Sequence, residues 1–186
     1  MIWMTSDLHF GHNRDFLYGP RGFGSIEEHD QKIVNNWNAI VRPDDDVYCL
    51  GDVMLQDNIN GIERWNELNG NKFLVIGNHD SAIRIKLLSA CPRTTILGYA
   101  SMLKYNKYHF YLSHYPSLTS NYDYDKPLRA RVINLCGHSH VEDKFADADK
   151  GLIYHVELDT NNCYPISINT IIKEIKEYSE WQNTKM

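Results

Sequence analysis

Apolar residues along this chain fall into two spacings. Five runs are short and almost continuous: Ile2-Trp-Met-Thr-Ser6, Asp46-Val-Tyr-Cys-Leu50, Lys72-Phe-Leu-Val-Ile76, His109-Phe-Tyr-Leu-Ser113 and Val132-Ile-Asn-Leu-Cys136. Each is rich in β-branched or aromatic side chains and has the length of a buried strand. Elsewhere the apolar positions recur at helical spacing. Ser25-Ile-Glu-Glu28 reads as a capping box, and Ile33, Trp37, Ile40 and Val41 then follow one helical face. Ile62, Trp65 and Leu68 mark a second helix closed by Gly70, and a third runs from Ser81 to Ala90. Ile171, Ile172, Ile175 and Tyr178 mark a C-terminal helix capped by Ser167. Strand and helix alternate through the first half. From about Thr94 to Leu158 the strands come closer together, with hairpin-like spacing at Asn106-Lys107. The mixture predicts an α/β fold, a sheet sandwich flanked by helices.

The segment from Tyr115 to about Arg131 breaks this rhythm, with Pro116, Pro127 and several polar residues. Loops of this length in a compact domain are often functional, so it reads as a wall of a substrate site.

Every strand run is followed at once by residues that carry chemistry. These are Asp7-Leu-His9, Gly51-Asp52, Gly77-Asn78-His79-Asp80, His114 and Gly137-His138-Ser-His140. Glycine after a strand permits a tight turn and close backbone approach. Sites in open α/β sheets form beyond the carboxyl ends of the strands, so the clusters are expected to converge on one edge of one sheet. They supply carboxylates, an amide and several imidazoles, a donor set suited to two divalent ions such as Mn, Fe, Ni, Co or Zn. Two such ions roughly 3.5–4 Å apart need a bridging ligand, and a carboxylate can donate to both. Asp52, central in the order of clusters, is the candidate bridge. The pair would supply hydroxide at neutral pH and offset charge on a phosphate.

Composition narrows the picture. The chain has 186 residues, 42% hydrophobic and 23% charged, which favours a single domain over residues 1–186 with a useful core. No apolar stretch approaches the ~20 residues of a membrane span, and Asp7 and His9 stand too early for a signal peptide. A net charge of −5 argues against broad electrostatic capture of nucleic acid, which enters only as a possible substrate. Cys49, Cys91, Cys136 and Cys163 form no CxxC pair; buried reduced thiols and a cytoplasmic location are expected.

The five clusters, in this order and spread from residue 7 to 140, resemble the motifs of the calcineurin-like metallophosphoesterases. Asp7-Leu-His-Phe-Gly-His12, Asn35-Asn-Trp-Asn38 and Leu112-Ser-His-Tyr-Pro116 are similar to a small bacterial and phage branch of that family. The resemblance implies a four-layer α/β/β/α sandwich. It implies that Asp7, His9 and His140 hold one metal, that Asn78, His114 and His138 hold the other, and that Asp52 bridges them. It makes His79 the non-ligand imidazole that contacts phosphate and leaving group, oriented by Asp80. Cys49 departs from the branch, which often carries histidine there, but the position lies outside the ligand set.

Bland readings compete residue by residue. Asp7 and Asp52 could cap turns. His138 and His140 would share a face of a strand, where two core histidines are hard to satisfy without a metal. His12 admits a substrate contact or simple packing. Arg21, and Arg129 and Arg131 on the long loop, could bind phosphate or lie on the surface. His29, His109 and His155 read as structural. Tyr115, Tyr122 and Tyr124 could stack on a base or merely pack. Together the residues point to a two-metal phosphoesterase that attacks a phosphate-ester substrate in line with metal-bound hydroxide. The rivals are a nuclease-like phosphodiesterase, which needs a basic groove, and a non-catalytic metal-binding scaffold, which has no use for His79.

Overall fold

The computed structural model describes residues 1–118 and 126–185, leaving out the side chains of 182–185; Tyr122 and Tyr124 lie outside it. Its elements in chain order are β1 (Ile2–Thr5), α1 (Asp15–Tyr18), α2 (Ile26–Ile40), β2 (Asp46–Cys49), α3 (Asn58–Glu67), β3 (Asn71–Val75) and α4 (Ala82–Ser89). There follow β4 (Thr94–Gly98), β5 (Ala100–Tyr105), β6 (Tyr108–Ser113), β7 (Val132–Cys136), β8 (Ile153–His155), β9 (Ile166–Ser167) and α5 (Ile168–Lys185). All five apolar runs are strands. The short α1 and β9 have no comparable pattern in the sequence.

The strands form two sheets. The first runs β4-β3-β2-β1-β9, parallel except for β9; the second runs β5-β6-β7-β8. In the second, β5 and β6 are an antiparallel hairpin whose turn residues Asn106 and Lys107 both have positive φ, while β6, β7 and β8 are parallel. Alternation assigns the faces of the first sheet. Val47, Cys49 and Leu74 pack with Ile33, Val34 and Trp37 of α2, Trp65 of α3 and Leu88 of α4. The Trp37 and Trp65 rings meet edge-on at 6.4 Å, and their Nε1–H groups donate to Asn69 O and Thr94 Oγ1. Met4 and Val75 face the other way, into a core shared with Phe110, Leu112, Ile133 and Leu135 of the second sheet and Ile171 and Ile175 of α5. Two sheets flanked by helices result.

Caps fix the helix ends. Ser25 Oγ accepts from Glu28 N and Glu28 Oε2 accepts from Gly24 N. Ser81 and Ser167 accept from Arg84 N and Thr170 N.

Candidate metal centre

The carboxyl ends of β1, β2, β3, β6 and β7 deliver the five clusters to one place. The edge belongs to two sheets, not one: β1–β3 lie in the first and β6 and β7 in the second. Sheet packing supplies the second wall, which the order of motifs alone does not reveal.

Asp7, His9 and His140 form one group whose ligand atoms can share a cation. Asp7 Oδ1 lies 3.6 Å from His9 Nε2 and 3.7 Å from His140 Nε2, and the two imidazole nitrogens are 3.2 Å apart. Asp7 Oδ2 is already engaged, accepting from Ser6 Oγ at 2.6 Å and His138 N at 2.9 Å. Asp7 Oδ1 is buried without a hydrogen-bond partner. A buried carboxylate oxygen left open between two imidazoles suits a cation and little else.

His114 centres a second group. Its Nε2 is 2.8 Å from Asn78 Oδ1, 3.2 Å from His138 Nδ1 and 3.4 Å from Asp52 Oδ2, while its Nδ1 donates to Leu50 O at 2.8 Å. That last bond fixes the tautomer, turning the Nε2 lone pair inward. Asp52 Oδ2 is also 3.9 Å from His9 Nε2, so one carboxylate oxygen faces both groups.

Backbone strain is concentrated here. Asp7, His9, Asp52, His138 and His140 all have φ between +49° and +74°. Non-glycine residues adopt this region rarely, and runs of such strain mark functional sites. His138 and His140 therefore sit in a loop after β7, not on a strand face. Two glycines are dictated by proximity. A Cβ on Gly51, itself at φ +98°, would stand 2.7 Å from His114 Nδ1. One on Gly137 would stand 2.0 Å from Ser6 Oγ and 2.3 Å from Asp7 Oδ2.

Burial and charge set the ionisation. Burial alone would raise the Asp7 carboxyl, but His9, His114 and His140 hold it well below the usual range. Burial pushes the His9 imidazole down to about 4 against the opposing pull of Asp7, leaving it a neutral donor at pH 7. Burial, reinforced by Asp7 and opposed by His114, lifts Asp52 to about 6.

The remaining candidates separate. His79 stands at the open side, its ring 42% exposed, Nε2 3.9 Å from Asp52 Oδ2 and its N–H donating to Asp52 Oδ1 at 2.8 Å. Asp80 does not hold that ring. Its carboxylate accepts from Asp52 N, Val53 N and Gly77 N, bracing the two loops against each other. His12 is nearly buried beside the first group, 5.5 Å from the His9 ring and edge-on to exposed Phe16, with its Nδ1 buried and unpartnered. Tyr115, about half exposed, packs edge-on against His138 on the opposite side.

The three arginines are not gathered at the rim. Arg21 is not a surface residue: its side chain is 1% exposed and its fork grips Asp159. Arg129 borders a cavity with Lys107, Tyr108 and Lys176, at the start of β6 rather than its His114 end. Arg131 precedes β7 and donates to Lys126 O. Because β6 and β7 are parallel, the chain leaving His114 must return to the far end of the sheet, and it carries both arginines there.

Residues the motifs did not flag complete the edge. Ser6 anchors Asp7, Arg84 fixes the His79 loop by donating to His79 O and Asn58 Oδ1, and Asp159 meets His140. Asp159 does follow an apolar run, Ile153-Tyr-His-Val-Glu-Leu158, and that was its available signal.

A family model for calcineurin-like phosphoesterases matches residues 1–166, which include every residue of this edge. The chain belongs to that family. The chain is 31% identical over 187 residues to the uncharacterized protein MJ1445 of Methanocaldococcus jannaschii, covering 95% of this chain and 92% of that one. It is 38% identical over 82 residues to the gene 66 protein of Mycobacterium phage L5, covering 42% of this chain and 39% of that one. Its fold is similar to that of AQ665, a protein of unknown function from Aquifex aeolicus: TM-score 0.70, 24% identity, 93% of this chain and 98% of that chain. Family membership implies divalent metal ions and a phosphate-ester substrate. Among the described residues no helix is long and apolar enough to cross a membrane.

Proposed function

We propose that this chain, as one domain over residues 1–186, hydrolyses phosphate esters with two divalent cations held side by side. The observation that carries this is the place of Asp52 Oδ2, 3.4 Å from His114 Nε2 and 3.9 Å from His9 Nε2. On this reading Asp7, His9 and His140 hold one cation, Asn78, His114 and His138 hold the other, and Asp52 bridges. Imidazole, carboxylate and amide oxygen together suit Mn, Fe, Ni, Co or Zn. When bound, such a pair acidifies coordinated water and offsets charge on the phosphate.

The chain's own residues supply the rest. Asp7 and Asp52 are pinned by backbone and hydroxyl donors, which hold their carboxylates in place. His79 holds the proton for the leaving oxygen, since its partly exposed imidazole lies beside Asp52 but belongs to neither candidate ligand group. Asp80 and Arg84 keep its loop in position. His12, beside His9, is placed to contact the bound ester. The nuclease reading needs a cationic groove here, yet Arg21 and Arg84 at this edge are both spent on internal acceptors. All four cysteines are buried free thiols, which supports a reducing, cytoplasmic compartment.

The test is a panel of p-nitrophenyl phosphate, its bis-ester, cyclic nucleotides and single-stranded oligonucleotides, with Mn²⁺, Ni²⁺ or Zn²⁺. Hydrolysis of at least one ester, abolished by chelation and restored by cation, is expected. Turnover that survives exhaustive chelation, or none on any substrate, contradicts the proposal.

A further inference from the structure

A chain of polar groups, buried from Arg21 to Asp30, runs behind the Asp7–His9–His140 group. His140 Nδ1 lies 3.0 Å from Asp159 Oδ2. Arg21 grips both oxygens of that carboxylate, Nε to Oδ1 at 2.9 Å and Nη2 to Oδ2 at 2.7 Å. Arg21 Nη2 also donates to Asp7 O at 2.9 Å, and Nη1 reaches His29 Nε2 at 2.9 Å. His29 Nδ1 lies 2.8 Å from Asp30 Oδ1, and Asp30 Oδ2 accepts from Gly11 N at 2.9 Å. The network therefore touches the backbone of Asp7, the turn that follows His9, and the ring of His140.

Elementary donor and acceptor rules fix its polarity. A guanidinium only donates, so His29 Nε2 accepts and His29 carries its hydrogen on Nδ1, aimed at Asp30. The Asp159 carboxylate only accepts, so His140 Nδ1 donates to it. Arg21 Nη2, 3.5 Å from the same nitrogen, is then a neighbour and not a partner. With Nδ1–H committed, His140 Nε2 is the nitrogen turned toward Asp7 Oδ1 and His9 Nε2.

A salt bridge this buried is a poor stability device, because stripping water from both charges offsets most of their attraction. Its position suggests another use. We propose that Asp159, locked by Arg21, is a positioning residue that fixes the tautomer and ring orientation of His140 and so sets cation affinity at the Asp7–His9–His140 group. A carboxylate behind a ligating histidine raises its basicity and removes its freedom to flip. The fork of Arg21 is essential, since one ammonium cannot reach both Asp159 oxygens, Asp7 O and His29 together. The inference rests on the two-cation reading for its affinity consequence, but the tautomer is a property of the chain alone.

Two readouts test it, each on chelator-treated full-length protein. Long-range ¹H–¹⁵N correlation spectra of the imidazoles should show hydrogen on Nδ1 of His140 in the wild type, and lose that signature in Asp159→Asn. Calorimetric titration with Mn²⁺ should show two binding events in the wild type. In Asp159→Asn and in Arg21→Lys, one event should weaken about 10- to 100-fold while the other is unchanged. Two unaltered events in the folded variants overturn the inference. So does equal weakening of both events with a lowered melting temperature, which marks a merely structural pair. If the wild type binds no cation, the phosphoesterase reading fails, and the tautomer still decides this one. Should Asp159→Asn not fold, a wild-type His140 with hydrogen on Nε2 alone overturns it.

Discussion

At the scale of single residues, the site separates groups that hold from groups that act. His79 is the residue proposed to act, partly exposed and close to Asp52 but outside both candidate ligand groups. His79→Ala is expected to keep both cations and lower kcat by about 10²–10⁴-fold, with a smaller loss for a p-nitrophenolate leaving group that needs no proton. Metal analysis beside steady-state kinetics checks this; near-normal turnover or lost cations would contradict it. Asp80 is the opposite case. Sequence resemblance gives it to His79, but its oxygens serve three backbone amides of Asp52, Val53 and Gly77. Asp80→Ala leaves those buried donors without acceptors at about 1–3 kcal/mol each, so a loss of roughly 3 kcal/mol or more is expected in urea unfolding. A change below ~1 kcal/mol would mean that the loops brace each other in another way.

At the scale of elements, strands set the site and loops tune it. The loop that carries His138 and His140 is tied down by groups from the end of β8. Glu157 Oε1 accepts from Val141 N and lies 3.1 Å from His155 Nδ1, while His155 Nε2 lies 3.0 Å from Asp147 Oδ2. His155 is fully buried, with Cys136 Sγ at 3.7 Å as its further neighbour. Burial disfavours its charged form, yet Glu157 and Asp147 outweigh burial and raise its pKa. A group raised on folding contributes stability that is fully present below its unfolded pKa of about 6.5 and is lost as pH rises through the folded value. The wild type is therefore expected to lose stability above about pH 6.5, and the gap between it and His155→Gln should narrow as pH rises. Melting temperatures across that range check it; parallel profiles would contradict it.

At the scale of the whole molecule, much of the fold and of the candidate site is legible in the sequence. The five apolar runs are strands, the Ser25 and Ser167 caps stand where the sequence puts them, and the candidate ligand residues meet at one edge. These features are local: period, cap and turn chemistry act over a few residues. What escaped is what topology decides. Arg21 and Asp159 are 138 positions apart and meet only because β8 ends beside the loop after β1. Arg129 and Arg131 follow His114 closely in sequence, yet the parallel step from β6 to β7 carries them to the other end of the sheet. Arg129→Ala is accordingly expected to leave kcat and KM within about twofold, since it removes no contact to bound substrate. A several-fold rise in KM would return it to the substrate site. The two-sheet edge is likewise a product of packing: no run of residues announces that Asp52 and His114 will come within 3.4 Å.

The central claim is a two-cation centre bridged by Asp52, and the most direct measurement is cations per chain. Wild-type protein equilibrated with Mn²⁺ and freed of loosely bound metal should carry two by elemental analysis, because Asp52 Oδ2 lies 3.4 Å from His114 Nε2 and 3.9 Å from His9 Nε2, between the two candidate ligand groups. A count of one, or none, would contradict the account.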